Sequence, residues 1–354
     1  MRIAFYSPMA QSDAGAASGV QRMSALLQRA LEAAGCEVWA PSLPRCYEGR
    51  GDPARQQELR VASEGAADAL VASAPKIDAW FSYHVYYKSP DWIGPRVAPA
   101  LRVPYLIAEG SHAPKRAEGP WALGHAGTTA ALQAADRLLA MTAFDRLCLA
   151  QIAPGRVRDL KPFVDVAPFQ PSAHEASPVR LCTVATMRDE RKRESYRLLA
   201  QAMKLLDVPV ELHIAGDGAM RAEIEARFHG VEGARFHGMI AAAEIPAFLQ
   251  RCDVFAWPGL GEAYGLVFLE AQAAGLPVVA CRDHGVPDTV SETITALLSP
   301  PGDVAAYAAS LRRLVLDGAM RARMGAAARS FVTVERSVEA AGSVLKAVLR
   351  ELRS

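Results

Sequence analysis

The sequence predicts an α/β protein made of two doubly wound domains, each with a parallel sheet. Three observations carry this. The chain has 354 residues, 51% hydrophobic and 22% charged, which suits two globular domains of ordinary size. Short apolar runs alternate with segments of helical period along both halves, the βαβ rhythm. One stretch breaks that rhythm: LKPFVDVAPFQPSAHEASP, residues 160–178, is rich in proline and polar residues and has no period. The boundary is therefore expected at about 166–178, with a first domain over 1–166, a second over 179–334 and a final helix over 335–354.

Composition excludes several classes. A formal net charge of +1 argues against a nucleic-acid binder, which shows a strongly basic surface. Six scattered cysteines, at 36, 46, 148, 182, 252 and 281, contain no CxxC and no paired histidine, so neither a zinc site nor a disulfide framework is expected. They fit a reducing, cytoplasmic compartment. MRIAFYSP reads as a first strand rather than a signal peptide. No apolar run approaches the ~18 residues that span a bilayer, although peripheral contact with a membrane surface stays compatible with the sequence.

In the first half, residues 2–6 form a strand and a loop leads to a helix over Gly19–Ala34. Val20, Met23, Leu26, Leu27, Ala30 and Leu31 line one face of that helix at i, i+3, i+4 spacing. Gly35 stops it, and CEVWAP starts a second strand. Gly15 and Gly19 do not make GxGxxG, so the dinucleotide fingerprint of a Rossmann dehydrogenase is missing. Arg45, Arg50, Arg55 and Arg60 read as a solvated loop and a polar helix face. Two strands follow, Ile77–His84 and Val103–His112, each ending in polar groups. Ligands gather at the carboxyl ends of parallel strands, which makes His84, Glu109, Ser111 and His112 candidates for lining a cleft. Helices over 124–135 and 142–153 flank a strand at Arg137–Met141.

The second half opens with a strand over 180–185 and then TMRDERKRE, where Arg188, Arg191, Lys192 and Arg193 cluster before a helix reaching Leu206. Cations just past a strand are either surface decoration or a counter-charge for a diphosphate. Strand Val210–Ala215, the GDGAMR turn, the ARFHG strand and a helix over 242–251 lead to CDVFAWP. There the stretch WPGLGEAYGLVFLEAQAAGLP, residues 257–277, places Glu262 in an irregular loop and Gly265 at the start of a helix. Glycine before a helix start leaves first-turn N–H groups aimed at an anion, whose charge the helix dipole favours. Glu270 lies about one turn into the helix, too deep to cap it. Two carboxylates eight positions apart thus flank one anion site, which reads as a site for a diphosphate joining two sugars. Strand 277–281, helices over 303–316 and 319–330, and a last helix with Val338, Ala341, Leu345, Val348, Leu349 and Leu352 on one face complete the chain.

Taken together these segments resemble the retaining GT-B nucleotide-sugar transferases of glycosyltransferase family 4. The resemblance covers nearly all of 180–335 and, more loosely, the first half. It rests on Glu262-AYGLVFL-Glu270, AxxxGLPVVA, HGVPD, LLSPPGD, GDGAMR and ARFHG in that family's order. It implies a GT-B fold: two Rossmann-like domains with parallel sheets facing an interdomain cleft, the last helix crossing back to the first domain. It implies that Glu270 accepts hydrogen bonds from the nucleotide ribose, that Glu262 holds hydroxyls of the transferred sugar, and that the N–H groups of Leu266 and Val267, after Gly265, cradle the diphosphate. Arg188 takes the place of the family's diphosphate-binding arginine, after Thr186-Met187 where glycine-arginine is usual. Lys192 or Arg193 takes that of its lysine. Gly19 stands for one member of a glycine pair, with Ser18 replacing the other. His112, or else His84, is similar to the histidine lining the sugar pocket, and Asp288 stands where glutamate is usual. Glu262, His112, Arg188 and Lys192 would form the catalytic group.

The resemblance further implies a UDP- or GDP-hexose donor and a hydroxyl acceptor on a saccharide, lipid or small metabolite. The acceptor would attack on the leaving-group face, and the departing phosphate would take its proton. No DxD-type acidic cluster is present, so neither metal nor other cofactor is expected, and the protein is expected as a monomer or weak homo-oligomer. A GT-B nucleotide-sugar epimerase and a non-catalytic nucleotide-sugar-binding protein are the alternatives.

Overall fold

A computed structural model describes residues 1–9, 19–171, 178–188 and 190–353. The elements in chain order are β1 (Arg2–Tyr6), α1 (Gly19–Ala33), β2 (Glu37–Trp39), α2 (Pro53–Ser73), β3 (Ala79–Tyr83), α3 (Gly94–Leu101), β4 (Tyr105–Ala108), α4 (Ala122–Ala134), β5 (Arg137–Ala140), α5 (Ala143–Ile152) and β6 (Val157–Asp159). After these come β7 (Val179–Val184), α6 (Glu190–Lys204), β8 (Val210–Ala215), α7 (Arg221–Arg227), β9 (Ala234–Gly238), α8 (Ile245–Gln250), β10 (Val254–Ala256), α9 (Leu266–Ala273), β11 (Val278–Cys281), β12 (Ala296–Ser299), α10 (Val304–Leu316), α11 (Gly318–Glu335) and α12 (Val338–Glu351). The chain divides into two compact units, Met1–Lys161 with Val338–Ser354, and Pro162–Ser337. No helix among the described residues is long and apolar enough to cross a membrane.

Each unit is built on a six-stranded parallel sheet. In the first the order is β2-β1-β3-β4-β5-β6, and in the second β12-β11-β10-β7-β8-β9. The central strands read as apolar runs because both of their faces are covered: every residue of β3, AWFSY, is buried, as is every residue of β11, VVAC. Both sheets have a point where successive strands leave in opposite directions. In the first it lies between β1 and β3, and in the second between β7 and β10. Open parallel sheets bind ligands beyond the carboxyl ends of strands at such points, which selects two loops in each unit.

The helix α1 buries Met23, Leu26, Leu27, Ala30 and Leu31, the face its spacing predicts, while Val20 stays half-buried. Against it packs α12, through Val338, Ala341, Leu345, Val348 and Leu349. Glycine at 342 permits the approach, since a Cβ there would stand 2.9 Å from the Ala30 carbonyl oxygen. Glu351 then pairs with Arg158 of β6 at 2.9 Å and with Arg137 of β5 at 3.3 Å.

Residues 45–60 form a loop and then a helix whose outward face carries Arg55 and Arg60, as the sequence reading has it. A 21-residue helix, α2, starts at Pro53, capped by Asp52, whose carboxylate accepts the Ala54 N–H at 2.9 Å. Its buried residues are Gln56, Leu59, Ser63 and Ala67. Gln56 donates to Pro120 O at 2.7 Å and accepts from Gly124 N at 3.0 Å, so an amide serves where apolar contact is usual.

Near the end of the loop that follows β3 lies Asp91, 1% exposed. Its Oδ1 accepts the N–H groups of Ile93 and Gly94, both at 2.8 Å, and its Oδ2 accepts the hydroxyls of Ser82 and of Tyr105, the latter at 2.6 Å. Removing this carboxylate leaves four donors buried without an acceptor, each costing ~1–3 kcal/mol. Asp91→Ala is expected to lower unfolding stability by at least about 3 kcal/mol in urea titration, with the slope of the transition unchanged.

Candidate functional site

In the second unit the strands on either side of the reversal end in the two segments singled out by sequence. After β10 the chain runs through Trp257 and turns at Gly259, Gly261 and Gly265, with φ of 71°, 70° and 76°. Gly265 is the residue before α9, and this left-handed angle is one that a side chain rarely adopts. A Cβ there would also meet the Phe268 ring at 2.8 Å. The helix's first hydrogen bond runs from Phe268 N to Gly265 O, at 3.1 Å. The N–H groups of Leu266 and Val267 stand ahead of it, where helix geometry offers them no intrahelical acceptor. Glu270 follows on the same helix, 2% exposed.

Four groups hold the loop ahead of this turn. Ser195 Oγ accepts the Leu260 N–H at 3.0 Å, and Asp283 accepts the Gly261 N–H at 2.7 Å. Burial would raise the Asp283 carboxyl, but the Gly261 N–H and His284 hold it below its ordinary value. Arg191 donates to Gly261 O at 3.3 Å. Gly285 lies so close beneath the loop that a Cβ would fall 1.7 Å from the Ala263 carbonyl oxygen. The loop is thus fixed by backbone contacts on both sides.

Inside it, Glu262 is held by two partners, one from its own loop and one from a distant helix. Trp257, fully buried, donates its indole N–H to Glu262 Oε1 at 3.1 Å. Lys192, in the first turn of α6, forms an ion pair with the same oxygen, its Nζ 5.5 Å from the centre of the Trp257 ring. The Trp257 ring is braced edge-on by Tyr196, 4.8 Å away. Of the two cations between which the sequence leaves the choice open, Lys192 is the one that meets Glu262. Arg193 points to α7 instead, 3.9 Å from Glu223. Arg188 is exposed just past β7. The residue before it is tied to the neighbouring loop, where the Met187 N–H donates to Asp217 O at 3.0 Å and the Met187 carbonyl accepts from Met220 N at 2.9 Å. Asp288 sits half-buried in a single turn, Val286–Asp288, near enough to Arg336 to offset part of the downward push that burial gives that guanidinium. Among the described residues no group of three or more His, Cys, Asp or Glu side chains is placed to hold a metal ion.

In the first unit Gly19 is exposed at the start of α1, and Ser18 lies outside the described residues. His84 and Glu109 come together across the ends of β3 and β4, His84 Nδ1 standing 3.0 Å from Glu109 Oε1. Both have left-handed backbones, with φ of 63° and 55°. Burial alone would depress the His84 imidazole, but Glu109, helped by Asp145, raises it above its ordinary value. Ser111 is exposed, its N–H donated to Val85 O at 2.9 Å. His112 is half-buried with its ring 5.3 Å from that of His125, and burial together with that neighbour lowers it. The two histidines named as alternatives are thus in opposite electrostatic settings.

Sequence reasoning missed Trp257, Ser195 and Asp283. A tryptophan at a strand end carries an indole N–H that needs an acceptor when buried, and Glu262, five positions on, was the available signal. Ser195 gave none, since its role depends on which face of α6 meets the loop.

The two-domain layout of parallel sheets and helices is that of GT-B glycosyltransferases. The fold matches a sucrose-phosphate synthase from Thermosynechococcus elongatus with a TM-score of 0.74, covering 99% of each chain at 22% identity. Residues 178–317 match the family described as Glycosyl transferases group 1. The chain is similar to the sulfoquinovosyl transferase SQD2 of Arabidopsis thaliana, 37% identical over 139 residues, which is 38% of this chain and 27% of that protein. It is also 40% identical over 107 residues to a GDP-mannose-dependent alpha-(1-6)-phosphatidylinositol monomannoside mannosyltransferase of Mycobacterium tuberculosis, 28% of each chain. In both cases less than a third of the relative's length is matched.

The His84–Glu109 pair has a measurable signature. A raised imidazole contributes stability that is fully present below about pH 6.5, the unfolded value, and is lost as pH rises through the folded one. Imidazole NMR titration should find His84 above its ordinary value and His112 below it, and Glu109→Gln should bring His84 down while leaving His112 in place.

Proposed function

We propose that the protein is a retaining glycosyltransferase of family 4, moving a hexose from a UDP- or GDP-sugar to an acceptor hydroxyl. The observation that carries this reading is the meeting of Lys192 with Glu262 beside the tip of α9, at the carboxyl ends of β7 and β10. A cation from one strand end, a carboxylate from the next and a helix start with outward N–H groups form the set of contacts that a sugar joined to a diphosphate requires. The GDP-mannose dependence in the name of the mycobacterial relative supports that class of donor.

Each residue then has a task. The N–H groups of Leu266 and Val267, with Arg188 and Lys192, take up the negative charge that grows on the leaving diphosphate. Glu270 accepts the ribose hydroxyls. Glu262, oriented by the Trp257 indole, accepts hydroxyls of the transferred sugar. In the first unit, His112 is held below its ordinary value by burial and by His125, which keeps it a neutral hydrogen-bonding partner for a sugar hydroxyl. Asp288 adds a further acceptor for the sugar. The candidate set contains no nucleophile paired with a base, so the acceptor attacks on the face the diphosphate leaves, and the departing phosphate oxygen takes its proton. The reaction needs no metal, because cations of the chain and helix N–H groups carry the charge. Lys192 reaches a diphosphate by giving up part of its contact with Glu262, which ties diphosphate arrival to release of that carboxylate toward the sugar.

Two substitutions separate the halves of the donor. Glu270→Ala removes hydrogen bonds to a charged acceptor worth ~1.5–3 kcal/mol each, and calorimetry should show nucleoside-diphosphate binding at least about a hundredfold weaker. Glu262→Gln should leave that affinity intact, because it frees Lys192, while sugar transfer falls by about a hundredfold. Undiminished nucleotide binding by Glu270→Ala would sink the assignment.

A further inference from the structure

The loop between β3 and α3 carries a feature that the donor site does not use. Its rings make a continuous row: His84 lies 5.0 Å from Tyr86, Tyr86 5.6 Å from Tyr87, and Tyr87 5.2 Å from Trp121, each pair meeting edge to face. Three cations lie along this row. Lys88 Nζ is 5.2 Å from the Trp121 ring and 6.0 Å from that of Tyr87, and the Arg116 guanidinium is 5.3 Å from Tyr87. Arg45 stacks on Tyr47 at 4.9 Å, and both act electrostatically on Tyr86.

None of the three cations pairs with a carboxylate among the described residues. Arg45 donates to Met9 O at 2.9 Å, and Lys88 reaches Gly49 O at 3.5 Å. The Arg116 Nε is buried with no hydrogen-bond partner among the described residues. Two buried or half-buried acidic groups of the same region are already engaged. Glu48 accepts the N–H groups of Arg50 and Gly51 at 2.6 Å, and Glu109 is paired with His84. A stack on an aromatic face stabilises a cation by only ~0.5–2 kcal/mol, and like charges gathered this way repel one another. Among the described residues the arrangement therefore lacks an anion.

Its position is also informative. The row rises from the end of β3, and Met9 follows the end of β1, so it flanks the strand reversal where the first sheet offers a ligand crevice. We infer that this row is an acceptor subsite for a phosphate-bearing sugar or polyol, its ring lying along Tyr86 and Tyr87 and its phosphate held by Lys88 and Arg116, with Arg45 adding to the field. Arginine and lysine together suit a phosphate, one by paired N–H groups and the other as a point charge. The inference deepens the transferase reading by giving the acceptor a chemical class, and the phosphate can be that of a free metabolite or of a lipid head group.

The test uses the full chain with Lys88→Gln and Arg116→Gln combined, and with Arg116→Lys alone, after thermal melts establish that each is folded. Glucose 6-phosphate, inorganic phosphate, glucose, and phosphatidylcholine vesicles with and without phosphatidylinositol phosphate are titrated against each protein, with UDP and GDP in parallel. Wild type should bind a phosphate-bearing probe. The double variant should lose at least tenfold in affinity, Arg116→Lys should lose less, and glucose should bind neither detectably. Binding confined to the phosphoinositide vesicles, and abolished in the double variant, supports the subsite with a lipid source. Equal affinity in wild type and double variant, or no binding of any phosphate-bearing probe, overturns it. Loss of UDP and GDP binding by wild type, with phosphate binding intact, defeats the donor reading and leaves this subsite standing.

Discussion

One residue conformation governs the second unit: the left-handed turn at Gly265, which lets the chain leave an irregular loop and enter α9 with its first N–H groups outward. A side chain at 265 would collide with Phe268, and Phe268 is itself locked edge-on to Phe255 of β10, 5.8 Å away. The turn is therefore determined by the core beneath it. The contacts of Ser195, Asp283 and Gly285 follow as the means of holding the preceding loop so that Glu262 returns to Trp257. A half-buried Lys–Glu pair is weak evidence of stability, because desolvation offsets most of the Coulombic gain. Its presence at such a well-fixed place argues for a role in recognition.

The first unit handles the corresponding place differently. Where the second relies on glycine, the first has His84 and Glu109 in left-handed conformations at adjacent strand ends. Non-glycine residues in that region cost of order 1–3 kcal/mol each, which the fully buried β3 and the Asp91 network near the end of the loop can sustain. The strain brings an imidazole against a carboxylate and opens the loop that carries Tyr86, Tyr87 and Lys88.

Much of this was legible from residues alone. Strands covered on both faces are apolar runs, so both sheets could be read, and the glycine before α9 marked its start. The two glutamates were recognisable because their spacing straddles that start. The choice between Lys192 and Arg193 was not legible, since neighbouring residues on a helix point about 100° apart and only the phase of α6 decides which one meets Glu262. Nor was the extent of α2, whose buried face of Gln56, Leu59, Ser63 and Ala67 has too little apolar contrast to show a period, despite the Asp52-Pro53 start signal. The row of rings escaped for another reason: Tyr86 and Tyr87 are adjacent, but Trp121, which completes it, arrives from another loop.

The return of α12 to α1 has a consequence for how the protein is made. The first unit is discontinuous, its two parts separated by the whole of residues 162–337. A ribosome must therefore finish the second unit before the helix that covers the exposed side of α1 exists, and until then Ala30 and its neighbours face solvent or a chaperone. Folding of the earlier-made half is thus timed by synthesis of the later one, and a stalled or clipped product would carry an apolar strip along α1 by which quality control could know it.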